Sequence, residues 1–389
     1  MSDRRMGFLP RFSLGLLIIS ATLLPLSACK LPQRVTAEER MFRDFSLELV
    51  DQYIIPKDKF QDTVVGGLSA IAYSQEQDLF YVLSDDRSKR SPARFYTFQL
   101  EVKANEQQQM KIAGFKPQNV TILFDEENKK YKKGKIDPEG LAISPRNTIY
   151  ISSEGNPSKD VEPFIAEYEM ATGNKLSDLR IPNRYLTEDQ SQGIQENSAF
   201  ESLTINRTGL PQDPFRVFTA TEDALLQDES LEGEERPRIR FLHYLVNPVG
   251  DPIIVAEHLY LLDSAPIEVI SNGLTELLAL KTEGYFLSLE RTYGFAGAGA
   301  KIFQVVVGNA TDTSNIDSLR GNIDQLQPLK KELLFDLSDL DIYLDNLEGM
   351  TEGPRLPDGS RSLLLISDDN FNDDQINQLL LFKLIENKP

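Results

Sequence analysis

Five acidic residues recur at a nearly constant distance along the chain, each directly after a run of apolar residues. They are separated by 69, 68, 68 and 78 residues, and they are Asp85, Glu154, Glu222, Glu290 and Asp368. A long regular period indicates a repeated supersecondary unit. If equivalent acids come together, two charges about 4 Å apart repel by roughly 4 kcal/mol at an effective dielectric constant of 20. We therefore expect raised pKa values, an arginine such as Arg291, or a bound cation to neutralise them.

A second acidic residue precedes four of these positions by 14 to 21 residues. It opens a short motif in which Leu or Met follows two residues later, and the four copies begin at Glu139, Glu201, Glu276 and Glu348. In the first repeat, the motif predicts that Gly66 stands where the other copies have the acid. Each repeat contains a strand, a polar turn and a second strand.

The other residue types restrict the chemistry that the acids could support. The chain has one cysteine and two histidines, His243 and His258, so a zinc or copper centre is poorly supported. Both histidines lie in apolar strand patterns, where we expect structural roles. The sequence contains no G-x-S-x-G motif, which would indicate a serine nucleophile. Carboxylate and amide oxygens favour calcium or magnesium. This inventory favours a metal-activated water that attacks an ester or phosphoester.

The elements that must position the acids are β-strands. Alternating apolar and polar residues predict four strands in each of the first four repeats and three in the last. Residues 44–55 form another strand-like stretch, which could supply the missing strand and close a ring. We predict an all-β propeller of five four-stranded blades, with six blades as the alternative. Residues 44–389 then form one domain.

The N-terminus has the pattern of an export signal. Three arginines precede the apolar run of residues 12–26, and the following Leu-Ser-Ala-Cys resembles the bacterial lipobox, which ends at Cys29. We expect residues 1–28 to be a lipoprotein signal peptide, exported by the general secretory route with the twin-arginine route as the alternative, and residues 29–43 to be a lipidated cysteine and tether. Lys30 follows Cys29 at the position where an inner-membrane retention signal has an aspartate. The outer membrane is therefore favoured in a bacterium that has two membranes.

The overall charge excludes one class of partner. The formal net charge is -19 and the pI is about 4.7, so the body of the protein should not bind nucleic acid or an anionic membrane surface. We expect contact with a membrane only through the lipid on Cys29. The small molecule that the acids predict is an ester or phosphoester.

Several repeat motifs together resemble a known family. The segments DPEGLAIS, FESLTI, SLERTYG and NLEGMTEG are similar to the phytase-like domain, described as having esterase-like activity of phytase. This resemblance implies a propeller, an exported location and ester or phosphoester hydrolysis. The chain carries the family pattern at Arg291 and at Glu139, Glu154, Glu201, Glu222, Glu290, Glu348 and Asp368. On the argument from the repeated acids, we expect these seven acids to be divalent-cation ligands, with calcium preferred, and we expect catalytic roles for Glu154, Glu222 and Arg291.

Other interpretations stay open at this point. Acids that follow strands can cap tight turns through backbone N–H groups without any chemistry. A propeller lactonase similar to the gluconolactonase group would also place a cation among axial acids, and a non-catalytic propeller could bind a ligand or partner. Five lysines within residues 129–135, just before Asp137, could hold substrate phosphates or form a solvated loop.

Overall fold

The computed structural model describes residues 41–387 except 108, 188–190, 207–209, 232–235, 265–268 and 296. The predicted signal peptide and Cys29 lie outside the described residues. The described part begins with strand β1 (Phe45–Ile55), which is followed by a small hairpin of β2 (Lys59–Phe60) and β3 (Thr63–Val64). Among the described residues, no helix has the length and apolar character needed to cross a membrane.

Four-stranded antiparallel sheets follow in chain order. The first two blades are made of β4 (Ala70–Ser74), β5 (Leu79–Ser84), β6 (Arg94–Ala104), β7 (Met110–Ile122), β8 (Pro138–Ile143), β9 (Thr148–Ser153), β10 (Phe164–Glu169) and β11 (Lys175–Leu179). Blades 3 and 4 are made of β12 (Phe200–Asn206), β13 (Phe215–Thr221), β14 (Arg238–Val246), β15 (Ile253–Leu261), β16 (Val269–Ala279), β17 (Tyr285–Gly294), β18 (Gly297–Val306) and β19 (Lys330–Asp336). Single-turn 3-10 helices occupy Pro157–Lys159, Asn183–Tyr185, Leu226–Asp228 and Leu337–Asp339.

The fifth blade joins the two ends of the domain. It contains β20 (Asn346–Glu352), β21 (Arg361–Asp368) and β22 (Asn377–Glu386), and β1 pairs antiparallel with β22 as its outermost strand. This pairing satisfies backbone groups that would otherwise form an open edge. The structure is therefore a five-bladed propeller closed by the N-terminal strand, which confirms the prediction from the repeats.

The core lies between the blades. The innermost strands β4, β8, β12, β16 and β20 each contact the innermost strands of the two neighbouring blades and surround the central axis. Five apolar clusters each join two neighbouring blades, and between blades 3 and 4 the rings of Phe218 and Phe286 meet edge to face at 4.7 Å. Because each blade is covered on both faces, its strands are nearly continuously apolar. This packing fixes the height of each blade relative to its neighbours.

The strand register corrects one expectation. Leu141 of β8 pairs with Ile151, three residues before Glu154, and Ile71 of β4 pairs with Val82, three residues before Asp85. Ser69 therefore stands at the place of Glu139, and the prediction that Gly66 holds this place was wrong. The Gly-Leu pair at residues 67–68 resembles the Gly-Leu pair at residues 140–141 in sequence, but it lies three residues earlier in the strand register.

Candidate functional site

Three carboxylates meet in blade 2 where strand β8 begins and strand β9 ends. Asp137, Glu139 and Glu154 each offer an oxygen within 4.8 Å of the others, so this cluster could hold a metal ion. The Asp137 N–H donates to Ser153 Oγ at 3.0 Å, and the Glu154 N–H donates to the Asp137 carbonyl at 3.0 Å. These bonds hold the entry to β8 against the end of β9, which places the acids side by side.

Arg291 forms the centre of the neighbouring part of the site. It donates from Nη2 to Glu222 at 2.6 Å and from Nη1 to Glu348 at 2.8 Å, and it also contacts Asn346 Oδ1. Only 9% of the residue is exposed, and its Nε has no hydrogen-bond partner among the described residues. An unused donor on a buried cation beside several acids is suited to an oxygen atom of a ligand.

β-bulges aim the acids of the innermost strands. The register shifts between Pro138 and Leu141 in β8, between Phe200 and Ser202 in β12, and between Leu347 and Gly349 in β20. Each shift contains the acid of the repeat motif, namely Glu139, Glu201 and Glu348. A bulge bends the strand and redirects one side chain. The repeated acids therefore turn toward the same mouth of the central channel.

Asp85 and Asp368 complete the cluster on the side of blades 1 and 5. Asp368 accepts the Asn370 N–H at 2.8 Å, and the adjacent Asp369 accepts the Gly67 N–H at 2.7 Å. Asn370 and Phe371 both have left-handed backbone conformations, with φ of 46° and 50°. Two consecutive non-glycine residues in this region indicate backbone strain that the surrounding contacts must maintain.

The carboxyl groups influence each other's pKa. Burial, and then the charges of neighbouring acids, raise the pKa of Glu139 and Glu154 well above the ordinary value. Burial and the charge of Glu222 likewise raise the pKa of Glu201 well above its ordinary value. Burial raises the pKa of Glu348 to about 8, although Arg291 opposes the shift. Burial and mutual repulsion therefore oppose the ionisation of these carboxyl groups, and a bound cation would favour it.

The remaining pair of aspartates shows the same behaviour. Burial and the charge of Asp137 raise the pKa of Asp85 to about 7. Burial raises the pKa of Asp137 to about 6, and Arg87, which forms an ion pair with this carboxylate, limits the shift.

Comparison with known families gives a direct match. The family model of the phytase-like proteins, described as "esterase-like activity of phytase", matches residues 63–371. The chain belongs to the phytase-like family. The match includes blades 1 to 4 and much of blade 5, and it confirms the resemblance that the repeat motifs indicate. A search of curated proteins finds no match.

Solved structures resemble this phytase-like propeller only distantly. The N-terminal domain of Nup159 is 12% identical, with a TM-score of 0.37, over 89% of this chain and 97% of that chain. The Bombyx mori GH32 beta-fructofuranosidase BmSUC1 is 9% identical, with a TM-score of 0.39, over 88% of this chain and 62% of that chain. The Neurospora crassa Pan2 WD40 domain is 8% identical, with a TM-score of 0.35, over 87% and 95%.

The phytase-like structure brings together six of the seven acids that the sequence assigns to a metal. These six acids lie near enough to one another or to Arg291 for their charges to interact at one mouth of the channel. They are Glu139, Glu154, Glu201, Glu222, Glu348 and Asp368. Of the three residues predicted to be catalytic, Glu222 and Arg291 are in direct contact, and Glu154 lies close enough to Glu222 for the two charges to interact.

Glu290 lies apart from this group. Its carboxylate accepts from Tyr260 Oη at 2.5 Å and from the Asp263 N–H at 3.0 Å, and it also forms an ion pair with Lys331. Successive side chains on a strand point to opposite faces. The Arg291 side chain therefore points toward the mouth, and the Glu290 side chain points toward the interface of blades 3 and 4. Glu290 is therefore not among the residues that we propose as ligands of a metal ion.

Glu276 and the two histidines have structural surroundings. Glu276 accepts N–H groups of its own Leu277 at 2.8 Å and of Leu203 on β12 at 3.3 Å, which satisfies backbone donors between innermost strands. His243 accepts from Arg216 at 2.9 Å, and His258 Nδ1 lies 3.0 Å from the Thr311 carbonyl. Burial lowers the pKa of His243 to about 4. Both histidines lie on the outer strands of blade 3, as the apolar patterns predict.

Sequence reasoning did not assign three residues of the site. Asp85 belongs to the acidic repeat, and Asp137 stands two residues before Glu139, so period and proximity could have indicated both. Arg87 is different, because a single arginine in a loop after β5 has no distinguishing pattern. Only the fold shows that it pairs with Asp137 and also donates to Asn197 Oδ1 at 2.7 Å.

Proposed function

We propose that this phytase-like propeller is a divalent-cation-dependent hydrolase of small esters or phosphoesters. The observation that carries the proposal is the convergence of Asp137, Glu139 and Glu154 within 4.8 Å. The charges of Glu348 and Glu222, which pair with the buried Arg291, act on Glu139 and Glu154. The elevated pKa values show that these groups are poorly neutralised by the protein alone. A set of oxygen donors fits calcium or magnesium, and we favour calcium because it accepts carboxylate ligands in a more flexible geometry than magnesium does.

The residues divide into two roles in this proposal. Asp137, Glu139 and Glu154 would hold the ion, which when bound polarises an ester or phosphoryl oxygen and activates water. Arg291 offers its free Nε–H to an oxygen of the substrate, and Glu222 and Glu348 fix the orientation of the guanidinium.

A proton donor is also available in the same mouth. Glu201 Oε2 is buried without a hydrogen-bond partner among the described residues, and burial keeps the pKa of this side chain well above its ordinary value. A carboxyl group that is protonated at neutral pH can donate its proton to a leaving oxygen. We therefore assign Glu201 Oε2 the role of general acid.

Metal analysis combined with turnover tests this proposal. The purified protein should contain a divalent ion, and it should hydrolyse nitrophenyl phosphate or nitrophenyl acetate with an activity that a chelator removes. Glu154→Gln should lower calcium affinity and turnover at least tenfold, because it removes one negative ligand of the cluster. Glu101→Gln is the matched control, since Glu101 is exposed on β6 and pairs with Lys103. Turnover that persists in chelator would contradict the metal role.

The same experiment separates the two alternative functions. Hydrolysis of lactones without phosphatase or esterase activity would favour a propeller lactonase. Absence of turnover on all of these substrates, with a melting temperature that rises on addition of calcium, would favour a non-catalytic binding propeller.

We also propose that the domain is exported and anchored in the cell envelope by lipid on Cys29, in the outer membrane where two membranes exist. The Leu-Ser-Ala-Cys motif after an apolar run supports this location. Labelled fatty acid should be incorporated into the wild-type protein and not into Cys29→Ser. Equal labelling of both proteins would refute the anchor.

A further inference from the structure

The lysine-rich segment of residues 129–135, called here the lysine loop, lies between blades 1 and 2. It contains five lysines in a protein whose formal net charge is -19. Lys132, Lys133 and Lys135 are exposed, while Tyr131, which directly precedes Lys132, is partly buried. A concentration of one charge against an opposite background creates a local potential that attracts ligands of the opposite sign.

The loop is held in place rather than only solvated. The Tyr131 hydroxyl lies 2.7 Å from that of Tyr168 on β10, and its ring stacks on Phe164 at a centroid distance of 6.3 Å. On the other side, the Gly134 N–H donates to the Arg87 carbonyl at 2.7 Å. The loop is therefore attached to both blades, and its lysine side chains project from a defined backbone.

The attachment places the lysines beside the candidate cation cluster. The Arg87 carbonyl accepts the hydrogen bond from Gly134 of the loop, and the Arg87 side chain forms an ion pair with Asp137. Lys135 is two residues before Asp137, so the two Cα atoms are at most about 7 Å apart at roughly 3.5 Å per extended residue. Lys89, on the loop after β5, is also near enough for its charge to act on Asp137.

These charges are available to a ligand. Lys129 pairs with Glu127 at the far end of the loop. Within the described part of the chain, Lys132, Lys133, Lys135 and Lys89 have no carboxylate within 4.0 Å. Asp137, two residues after Lys135, is instead engaged with Arg87.

We propose that the lysine loop, together with Lys89, binds an anionic group of the substrate, a phosphate or a carboxylate, that is separate from the bond that reacts. This inference rests on the proposed hydrolase and narrows its substrates to esters or phosphoesters that carry a second negative charge. The reacting bond lies at the carboxylates and Arg291, and the second anion lies on the loop.

Paired substrates test the assignment in the full-length protein. Nitrophenyl propanoate and nitrophenyl succinate differ by a free carboxylate, and fructose 6-phosphate and fructose 1,6-bisphosphate differ by a second phosphate. The variant K132Q/K133Q/K135Q should raise KM about tenfold for the member with the extra anion, which corresponds to about 1.4 kcal/mol, or about 0.5 kcal/mol for each lysine. KM for the simpler member and kcat for both should remain unchanged.

A matched control has the same change in charge elsewhere. K103Q/K116Q/K330Q removes three lysines from outer strands and should leave both KM values as in the wild type. Equal effects of the two triple variants would overturn the inference, because they would reflect net charge alone. Weaker binding of phosphatidylglycerol vesicles by K132Q/K133Q/K135Q, with every KM unchanged, would assign the loop to a membrane surface and also overturn it.

Failure of the proposed hydrolase can be distinguished from failure of this inference. If the wild-type protein turns over none of these substrates, calorimetric titration with inorganic pyrophosphate in chelator still measures the loop. The dissociation constant should rise about tenfold in K132Q/K133Q/K135Q and not in the control variant. An unchanged constant would refute anion binding whatever the activity.

Discussion

At the scale of residues, the site is a cluster of carboxylates that the protein neutralises only in part. Arg291 offsets Glu222 and Glu348, and Arg87 offsets Asp137. Burial and mutual repulsion raise the pKa values of Glu139, Glu154 and Asp368 well above their ordinary values. Such an arrangement is costly for folding, and a bound cation would remove most of that cost.

Gly273 determines where Glu222 can lie. A Cβ atom at Gly273 would stand 2.3 Å from Glu222 Cγ and from Oε1, so any side chain there must displace the carboxylate that holds Arg291. We expect Gly273→Ala to destabilise the protein by about 1–3 kcal/mol, as other overpacking substitutions do, and to lower turnover. Urea unfolding and the nitrophenyl assays measure the two effects.

A double-mutant cycle identifies the cause of this loss. In a Glu222→Ala background, the substitution Gly273→Ala should cost much less, because the atoms that it meets are gone. Gly114→Ala is the control, since its Cβ would meet only the flexible end of Lys116 at 3.3 Å. The same cost in both backgrounds would contradict the steric explanation.

At the scale of elements, the bulged innermost strands and the closing strand define the site. Bulges in β8, β12 and β20 direct Glu139, Glu201 and Glu348 toward the mouth. At the other ends of the same strands, a cavity of about 610 Å³ opens among aliphatic side chains such as Leu141, Leu203 and Met350. At this second end Glu352 is paired with Arg361, whereas the cluster of carboxylates lies at the first end, so the two ends of the channel differ in chemistry.

Ring closure by β1 should support the whole domain. Leu47 is buried in the cluster between blades 4 and 5, so Leu47→Ala should lower the free energy of unfolding by about 2–5 kcal/mol in one cooperative transition. Glu48→Ala, at the exposed neighbouring position, should change it by less than about 0.5 kcal/mol. Chemical denaturation measures both. A main transition left unchanged by Leu47→Ala would show that β1 is not needed for closure.

At the scale of the whole molecule, the cluster links stability to pH and to cations. The folded pKa values of Asp85 and Glu348 are about 7 and about 8, above the ordinary values of 3.8 and 4.5. The folded state therefore binds more protons than the unfolded state between about pH 4 and 8. Without cations, the contribution of these groups is largest at low pH and is lost as pH rises through the folded pKa values.

Melting temperatures should show this linkage. In chelator, the melting temperature should fall as the pH rises from 5 to 8, because the folded state must lose protons that it holds tightly. Calcium should raise the melting temperature more at pH 8 than at pH 5, since protons compete with the ion for the same oxygens. A calcium effect that is equal at both pH values would contradict binding at these carboxylates.

The sequence alone determined the repeat, the strands, the closure by residues 44–55 and most of the acids in the site. These features follow from local composition and from a period that the chain shows directly, and Glu139, Glu154 and Glu348 needed no knowledge of the fold. The family also followed from these motifs.

Only the tertiary structure decided which neighbours share the mouth. It placed Arg291 in the cluster and Glu290 outside it, moved the equivalent of Glu139 in the first blade to Ser69, and brought Arg87 to Asp137. The physical reason is the two-residue alternation of strands, in which a shift of one residue or one bulge reverses the direction of a side chain. Sequence spacing shows that an acid ends a strand, but it does not show which way that acid points.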